Sequence, residues 1–215
     1  MNRRKLLLAT AFAAAAAPAG AQQPIAITFG RAPSGQVPEG FRVARTGQGA
    51  PAAWSVVDDP SVPTGRVLAQ TSTDQTDYRF PLAIYEPVSV RDVEVTVGFK
   101  AVAGRIDRAG GIAVRLTDAD NYYVLRANAL EDNVNFYHVV KGSRRQINGI
   151  STKVTSDQWH RLSLRSVGDQ FTIGFDGKTL FTVTDRTFAN AGKVALWTKA
   201  DSVTRFDDLT IRPLS

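Results

Sequence analysis

The chain has 215 residues, with 26 Lys and Arg against 20 Asp and Glu, a formal net charge of +6, and no cysteine. The lack of cysteine excludes a thiol nucleophile, a thiolate metal site, disulfide bonds and a lipid-modified cysteine anchor. The basic excess is mild and shows no clustered stripe of cations, so it does not favour a nucleic-acid partner.

Residues 1–21 are predicted to be a cleavable signal peptide. Cations at Arg3–Lys5 precede an apolar run, Leu6–Ala17, and small residues before Gln22 form a cleavage site. The run is shorter than the roughly 20 residues that a membrane-spanning helix needs. The arginine pair also permits twin-arginine export instead of general secretion. Cleavage leaves 6 − 3 = +3, so we expect an exported protein, periplasmic or secreted, without a membrane anchor.

Residues 22–215 are predicted to form a single domain of short strands. In chain order the predicted strands are Ile25–Phe29, Phe41–Val43, Trp54–Val57, Arg66–Thr71, Tyr78–Tyr85, Asp92–Lys100, three within Gly110–Lys141, Trp159–Ser166, Gln170–Phe175, Thr179–Thr184, Lys193–Thr198 and Thr204–Arg212. Outside the leader no window shows helical periodicity, and turn residues separate the strands. The pattern predicts an all-β fold, an antiparallel jelly-roll β-sandwich.

The segment Gly110–Lys141 is predicted to be a three-strand meander, with turns at Asp118–Asn121 and Glu131–Asn133. Alternation along these strands assigns each side chain to one of two faces. The residues predicted to point into the core include Ile112, Val114, Leu116, Tyr123, Leu125, Phe136 and Val140. The residues predicted to point outward are Arg115, Tyr122, Arg126, Asn128, Asn135, Tyr137, Trp197 and Lys199.

The outward set has the composition of a carbohydrate-binding surface. Sugars present apolar C–H faces and many hydroxyls, so they are bound by aromatic rings flanked by hydrogen-bonding side chains. The predicted rings are Tyr122, Tyr137 and Trp197, and the predicted polar ligand-binding partners are Arg115, Arg126, Asn128 and Lys199. Two alternatives remain open. The arginines also suit an anionic ligand, and cross-strand aromatic and arginine pairs stabilise any exposed sheet.

Other polar residues carry weaker signals. His138 and His160 lie on predicted strands, and each is expected to have a hydrogen-bonding partner without binding a metal. Most aspartates occupy predicted turns, whereas Asp207 and Asp208 lie in the last strand. These two are candidate ligands of a structural calcium ion, which takes carboxylate and carbonyl oxygens. No other cofactor is indicated.

Several motifs resemble those of a known family. They are Ala109–Arg115, which keeps a Gly-Ile start and an arginine three residues later, Trp159–Leu162 before an alternating strand, the turn Asp176-Gly177, and the closing strand Phe206–Leu209. Over Val90–Ile211 the chain resembles the concanavalin A-like lectin and glucanase jelly rolls. Within them it is similar to laminin-G-like domains and to the bacterial 3-keto-disaccharide hydrolase domain family.

These observations favour an exported, monomeric carbohydrate-binding module that recognises a glycan or a cell-envelope component. The resemblance implies two alternatives: a hydrolase of 3-keto-disaccharides or related glycosides, and a protein-binding domain of laminin-G type. A glycoside hydrolase needs two carboxylates on either side of the scissile bond, and no such pair is evident from the sequence.

Overall fold

The computed structural model describes residues 23–214 as β-strands joined by turns and loops. The predicted signal peptide and its cleavage site lie outside these residues. The strands are β1 Ile25–Ile27, β2 Phe41–Gly47, β3 Trp54–Asp58, β4 Arg66–Gln70, β5 Arg79–Val90, β6 Val93–Ala103, β7 Ala109–Asp118, β8 Asn121–Asn128, β9 Asn133–Val140, β10 Ser143–Ser151, β11 Trp159–Val167, β12 Gln170–Phe175, β13 Lys178–Thr184, β14 Gly192–Trp197 and β15 Val203–Pro213. Within the described range no helix is long and apolar enough to cross a membrane.

The strands form two antiparallel sheets that pack face to face. The eight-stranded sheet has the order β13-β12-β11-β6-β15-β4-β3, with β1 paired to β15, and the seven-stranded sheet has the order β10-β9-β8-β7-β14-β5-β2. The predicted meander is β7, β8 and β9, which are consecutive neighbours in the seven-stranded sheet. The all-β sandwich expected from the sequence is therefore confirmed.

The main core lies between the two sheets, where alternate residues of each strand interdigitate. In β6 the side chains of Val93, Val95, Val97 and Phe99 are fully buried, as their alternation predicts. The seven-stranded sheet contributes Ile112, Val114, Tyr123, Leu125, Phe136, Val194 and Leu196. Burying these side chains is the dominant stabilisation in a chain whose sequence contains no cysteine.

Strand β10, Ser143–Ser151, was not predicted. Its sequence SRRQINGIS has no apolar alternation, because it is an edge strand and most of its residues are exposed or half-buried. Main-chain pairing with β9 holds it in place, with an irregularity between Gln146 and Asn148. An edge strand of this kind gives no periodic signal in the sequence.

A β-bulge changes the orientation of Arg115. This residue has a left-handed backbone (φ 51°), and between Ala113 and Leu116 three residue steps of β7 face only two of β14. A bulge adds one residue to one strand, so the two-residue alternation shifts by one beyond it. Arg115 therefore points between the sheets, and Leu116 packs on the opposite face. The sequence-based assignments of Arg115 as outward and Leu116 as inward are both wrong for this reason.

Arg115 joins the two sheets at one end of the sandwich. Its guanidinium is fully buried, donates to Ser166 Oγ at 2.8 Å and to the Phe188 carbonyl oxygen at 2.8 Å, and also bonds to the Gly168 carbonyl oxygen. It lies 5.0 Å from the centre of the Phe171 ring. The Asp92 carboxylate, at 3.5 Å, is its nearest counter-charge. Arg115 is thus a structural cross-link.

We expect Arg115→Ala to lower the free energy of unfolding by about 3 kcal/mol, because buried acceptors lose their donor and a buried ion pair is broken. The matched control is Arg186→Ala, whose side chain is 81% exposed, and its effect should stay within about 0.5 kcal/mol. Urea unfolding of the native chain and of the two variants measures both changes in the free energy of unfolding. If the two substitutions had equal effects on stability, the role of Arg115 as a cross-link between the sheets would be wrong.

Candidate functional site

The face of the seven-stranded sheet that points away from the main core carries a second apolar cluster, here called the outer cluster. Its buried members are Phe80, Leu82, Ile84, Ala109, Ala113, Leu116, Tyr122, Val124, Tyr137, Val139, Ala195 and Trp197. Tyr122, Tyr137 and Trp197, which the sequence assigns to one outward face, do share this face. The sheet is therefore apolar on both sides.

The outer cluster is enclosed because the seven-stranded sheet curls over it. In a flat sheet β2 and β8, four strand positions apart, would be separated by roughly 19 Å, at about 4.8 Å per strand. Instead Thr46 of β2 bonds to Tyr122 of β8, with 2.7 Å between the two hydroxyl oxygens. The Tyr78 hydroxyl, just before β5, accepts from the backbone N–H of Arg144 in β10 at 2.6 Å. Residues near opposite edges of the sheet thus meet above its outer face.

The guanidinium of Arg144 covers the aromatic rings of the outer cluster. Its central carbon lies 4.6 Å from the ring centre of Tyr137, 4.8 Å from that of Phe80 and 5.8 Å from that of Trp197. A guanidinium over aromatic faces is attracted by their quadrupoles, more strongly where water is excluded. Burial lowers the pKa of Arg144. The arginine side chain occupies the position above these rings.

A hydrogen-bond chain orders the enclosed rings. Trp197 Nε1 donates to the Tyr122 hydroxyl at 3.2 Å, and Thr46 Oγ1 bonds to the Ala119 carbonyl oxygen at 2.5 Å. Gly111 leaves room for the indole, since a Cβ there would lie 3.3 Å from the Trp197 ring and 2.5 Å from a backbone oxygen. Burial raises the pKa of Tyr122, which keeps its hydroxyl protonated.

The rings are not the open platforms expected from the sequence. Tyr122 and Trp197 are 0% exposed and Tyr137 is 6% exposed, because the curl of the sheet and Arg144 cover them. Direct stacking of a ligand on Trp197 would require this cover to move. Among the predicted ring residues, Tyr137 is the least buried.

A group of charged residues lies beside the outer cluster, next to Tyr137, and this group is here called the mouth cluster: Asp77, Asp107, Arg126, Glu131 and Lys199. Lys199 Nζ lies 2.5 Å from Asp77 and 3.0 Å from Asp107. Arg126 lies 2.6 Å from Glu131 and 4.0 Å from Asp107. Asp107 is fully buried, whereas the side chains of Asp77 and Glu131 are 72% and 48% exposed. The network therefore runs from the interior to the surface.

The pKa values of the mouth-cluster residues depend on how deeply each residue is buried and on its charged partners. Burial raises the pKa of Asp107, against the opposing effect of Lys199 and Arg126. Burial alone would lower the pKa of Lys199, but its bonds to Asp77 and Asp107 raise it overall. Asn128 donates to Asp107 Oδ1 at 2.9 Å and accepts from a backbone N–H, so it holds the carboxylate in place.

The structure thus brings six of the seven predicted ligand-binding residues to one face. Tyr122, Tyr137 and Trp197 lie in the outer cluster, Arg126 and Lys199 belong to the mouth cluster, and Asn128 supports it. Arg115 alone lies elsewhere. Their role as ligand contacts remains a prediction.

Sequence reasoning missed Asp77, Asp107, Glu131 and Arg144. Asp77, Asp107 and Glu131 lie in loops, where alternation carries no information, and Arg144 lies on the unpredicted β10. The short basic run Lys141–Arg145, which includes Arg144, was the one available signal for it.

Asp201 positions the loop that carries Asp107. Its carboxylate accepts backbone N–H bonds from Arg105 at 2.7 Å and from Ile106 and Asp107 at 3.0 Å. Burial would raise the pKa of Asp201, but these backbone donors lower it overall. Gly104 makes the tight turn possible, since its φ is +145° and a Cβ would lie 1.8 Å from the Asp107 carbonyl oxygen.

The candidate calcium ligands, Asp207 and Asp208, lie on β15 of the eight-stranded sheet. Asp208 pairs with Arg161, and Asp207 is 7% exposed with one carboxylate oxygen unbonded. Among residues 23–214 no group of three or more His, Asp or Glu residues is arranged to hold a metal ion. The calcium site stays a prediction without geometric support. His160 lies 2.7 Å from Asp176, and His138 lies 3.1 Å from Thr187 Oγ1, so both histidines have partners.

Comparison of the sequence with known protein families identifies a lectin domain. The model of the galactocerebrosidase C-terminal lectin domain matches residues 84–214. The chain belongs to this family. The matched range includes Asp107, Arg126, Glu131 and Lys199, so most of the mouth cluster lies within the lectin domain. A comparison with curated proteins finds no match.

Solved structures agree with a lectin-domain fold. The carbohydrate-binding module CBM66 from Bacillus subtilis is similar with a TM-score of 0.62 and 21% identity, over 80% of this chain and 95% of that chain. The apo Crh5 transglycosylase has a TM-score of 0.61 and 14% identity, over 91% and 86%. A Bacillus subtilis protein of unknown function with a galectin-like fold has a TM-score of 0.55 and 11% identity, over 80% and 88%. At these identities the similarity shows the fold.

We expect Asp201→Asn to lower the free energy of unfolding of this lectin domain by about 2 kcal/mol at neutral pH, because an amide replaces an acceptor of several backbone N–H groups. The folded pKa of Asp201 lies below the unfolded value of about 3.9, so the stabilisation is complete above that pH. It is lost as the pH falls through the folded pKa. Urea unfolding at about pH 7 and about pH 3 should therefore show a difference between the two proteins that shrinks on acidification. A difference independent of pH would contradict this role of the carboxylate.

Proposed function

We propose that this lectin domain is a carbohydrate-binding module whose ligand contacts the mouth cluster. The observation that carries the proposal is the ion network Asp77–Lys199–Asp107–Arg126–Glu131, which reaches the surface beside Tyr137. Membership of the lectin-domain family and the fold shared with CBM66 support it.

The network offers the chemistry that sugar hydroxyls require. Carboxylate oxygens of Asp77 and Glu131 accept hydrogen bonds, and Lys199 donates them. Because the partners hold one another in place, little side-chain freedom is lost when a ligand binds. Arg126 lies 5.5 Å from the centre of the Tyr137 ring, so this aromatic ring adjoins the polar groups.

The charge of the mouth cluster favours a neutral ligand. Three carboxylates, Asp77, Asp107 and Glu131, face two cations, Arg126 and Lys199, and each cation already contacts a carboxylate. An anionic ligand would have to compete with these partners. The anionic alternative that the sequence left open is therefore not favoured at the mouth.

We expect Glu131→Gln to weaken sugar binding by about tenfold or more, because it replaces a charged acceptor at the mouth. The matched control is Glu86→Gln, whose side chain is 39% exposed and pairs with Arg42 on the same sheet. Calorimetric titration of both variants with a panel of neutral mono- and disaccharides measures the affinities. The proposal would be overturned if neither the native chain nor any variant bound a sugar. It would also be overturned if the two variants bound sugar with equal affinity.

A second candidate function, hydrolysis of 3-keto-disaccharides or related glycosides, is favoured by one observation. The two carboxylates that contact Arg126 are pushed in opposite directions, because burial raises the pKa of Asp107 and bonds to Asn133 and Arg126 lower that of Glu131 against the effect of burial. One carboxyl with a raised pKa beside one with a lowered pKa is one of the requirements of acid–base catalysis in glycoside hydrolysis.

The hydrolase candidate predicts turnover of a 3-keto-disaccharide that Glu131→Gln and Asp107→Asn both abolish. Glu86→Gln should retain the native rate, since Glu86 lies outside the mouth. Chromatography of the released monosaccharides provides the measurement. If the native chain binds the sugar without releasing product, the domain acts by binding alone.

We further propose that the protein acts outside the cytoplasm, on the strength of the leader-like residues 1–21. The monomeric state stays a prediction. Cell fractionation of a strain that expresses the whole chain tests this. A protein-binding role of laminin-G type stays a prediction from sequence resemblance.

A further inference from the structure

The outer face of the eight-stranded sheet carries a cleft on the opposite side of the sandwich from the mouth cluster. Its volume is about 380 Å³. The lining residues that matter here are Ser61, Trp159, Arg161, Asp176, Asp207 and Asp208. Neither the proposed binding site nor the core uses this cleft.

Trp159 forms one wall of the cleft and is fixed in position. Its Nε1 donates to Ser61 Oγ at 2.9 Å, and Lys100 Nζ lies 5.3 Å from the ring centre. The ring lies over Gly98, where an added Cβ would be 3.7 Å from it. Trp159 is half-buried, unlike Trp54 and Trp197, which are 4% and 0% exposed.

Asp207 supplies an acceptor that no described residue uses. Its side chain is 93% buried, since 7% is exposed, and Oδ1 has no hydrogen-bond partner. A buried polar group without a hydrogen-bond partner is destabilising, so it calls for an explanation. Burial raises the pKa of Asp207, against the opposing effect of the Asp208 backbone N–H.

The other two carboxylates of the cleft are already engaged. Asp176 lies 2.7 Å from His160 Nδ1 and accepts from the backbone N–H of Arg161 at 2.8 Å. Asp208 pairs with the Arg161 side chain. Asp207 is therefore the acidic group of the cleft that lacks such a partner within the described residues.

A β-bulge in β15 places both acids beside the indole. Asp208 has a left-handed backbone (φ 51°), and the pairing of β15 with β6 loses register between Asp207 and Thr210. Bulges re-aim side chains and are common next to binding sites. Here the bulge leaves Leu209 in the core while Asp207 and Asp208 face the cleft.

We propose that this cleft is a second carbohydrate site, in which a neutral sugar packs its C–H face on Trp159 and donates a hydroxyl to Asp207. A fixed, partly exposed indole beside an unused carboxylate oxygen is the pairing that a pyranose or furanose ring requires. The inference rests on the proposed carbohydrate-binding function and extends it to two sites on opposite faces, which would let one chain bridge two glycan segments.

The fluorescence of Trp159 should report whether a sugar occupies the cleft. Because the other two tryptophans are buried, acrylamide should quench mainly the fluorescence of Trp159 in the native chain. Neutral sugars, tested as galactose, glucose, fructose, lactose and sucrose, should protect this fluorescence in a saturable way. Trp159→Phe, which keeps an apolar ring, should remove the quenchable signal and identify its source.

The decisive variants are Asp207→Asn, which keeps the size of the side chain, and Glu131→Gln at the mouth. We expect Asp207→Asn to weaken the protection by about tenfold or more while melting at or above the native temperature, because it removes a buried, unpaired charge. Glu131→Gln should leave the protection unchanged. Calorimetry of the native chain should show two sugars bound per chain.

The outcomes separate this inference from the proposed function. One bound sugar, lost in Glu131→Gln, with no protection of Trp159, would overturn the second site and leave the mouth site standing. One bound sugar, lost in Asp207→Asn alone, would establish the cleft and overturn the mouth site. Absence of all sugar binding would overturn both.

Discussion

Closure of the seven-stranded sheet over its own outer face is the constraint on which the rest of this structure depends. Two contacts between distant strands hold the curl, namely the Thr46–Tyr122 hydroxyl pair and the bond from the Arg144 backbone to Tyr78. A sheet that is apolar on both faces must bury both. The curl does this without a second layer of structure, because Arg144 and the strand ends cover the rings.

The curl also decides where polar chemistry can occur. Charged groups on the enclosed face are stable only when paired, which explains why Asp107 contacts Lys199 and lies near Arg126. Exposed partners, Asp77 and Glu131, extend the same network to solvent. A ligand at the mouth therefore meets groups whose orientation is fixed from inside. The eight-stranded sheet, which is not curled over its outer face, leaves a shallow cleft instead.

Two bulges give charged residues opposite functions. In β7 the bulge turns Arg115 into the sandwich, where it bonds to the facing sheet. In β15 the bulge turns Asp207 and Asp208 outward, next to Trp159. Each bulge shifts the alternation by one residue, so the same kind of backbone irregularity leads to a cross-link in one case and to a polar surface in the other.

The sequence by itself determined the class of fold, the meander β7 to β9, the inward residues of β6 and the shared face of Tyr122, Tyr137 and Trp197, because strand alternation is a local property. It determined neither bulges nor curvature, which depend on contacts between distant strands. Arg115 was therefore assigned to the wrong face, and β10 was missed because an edge strand needs no apolar alternation. The burial of the three aromatic rings was decided only by the tertiary structure. The same holds for the contacts of Lys199 with Asp77 and Asp107, because these residues come from loops far apart in the sequence.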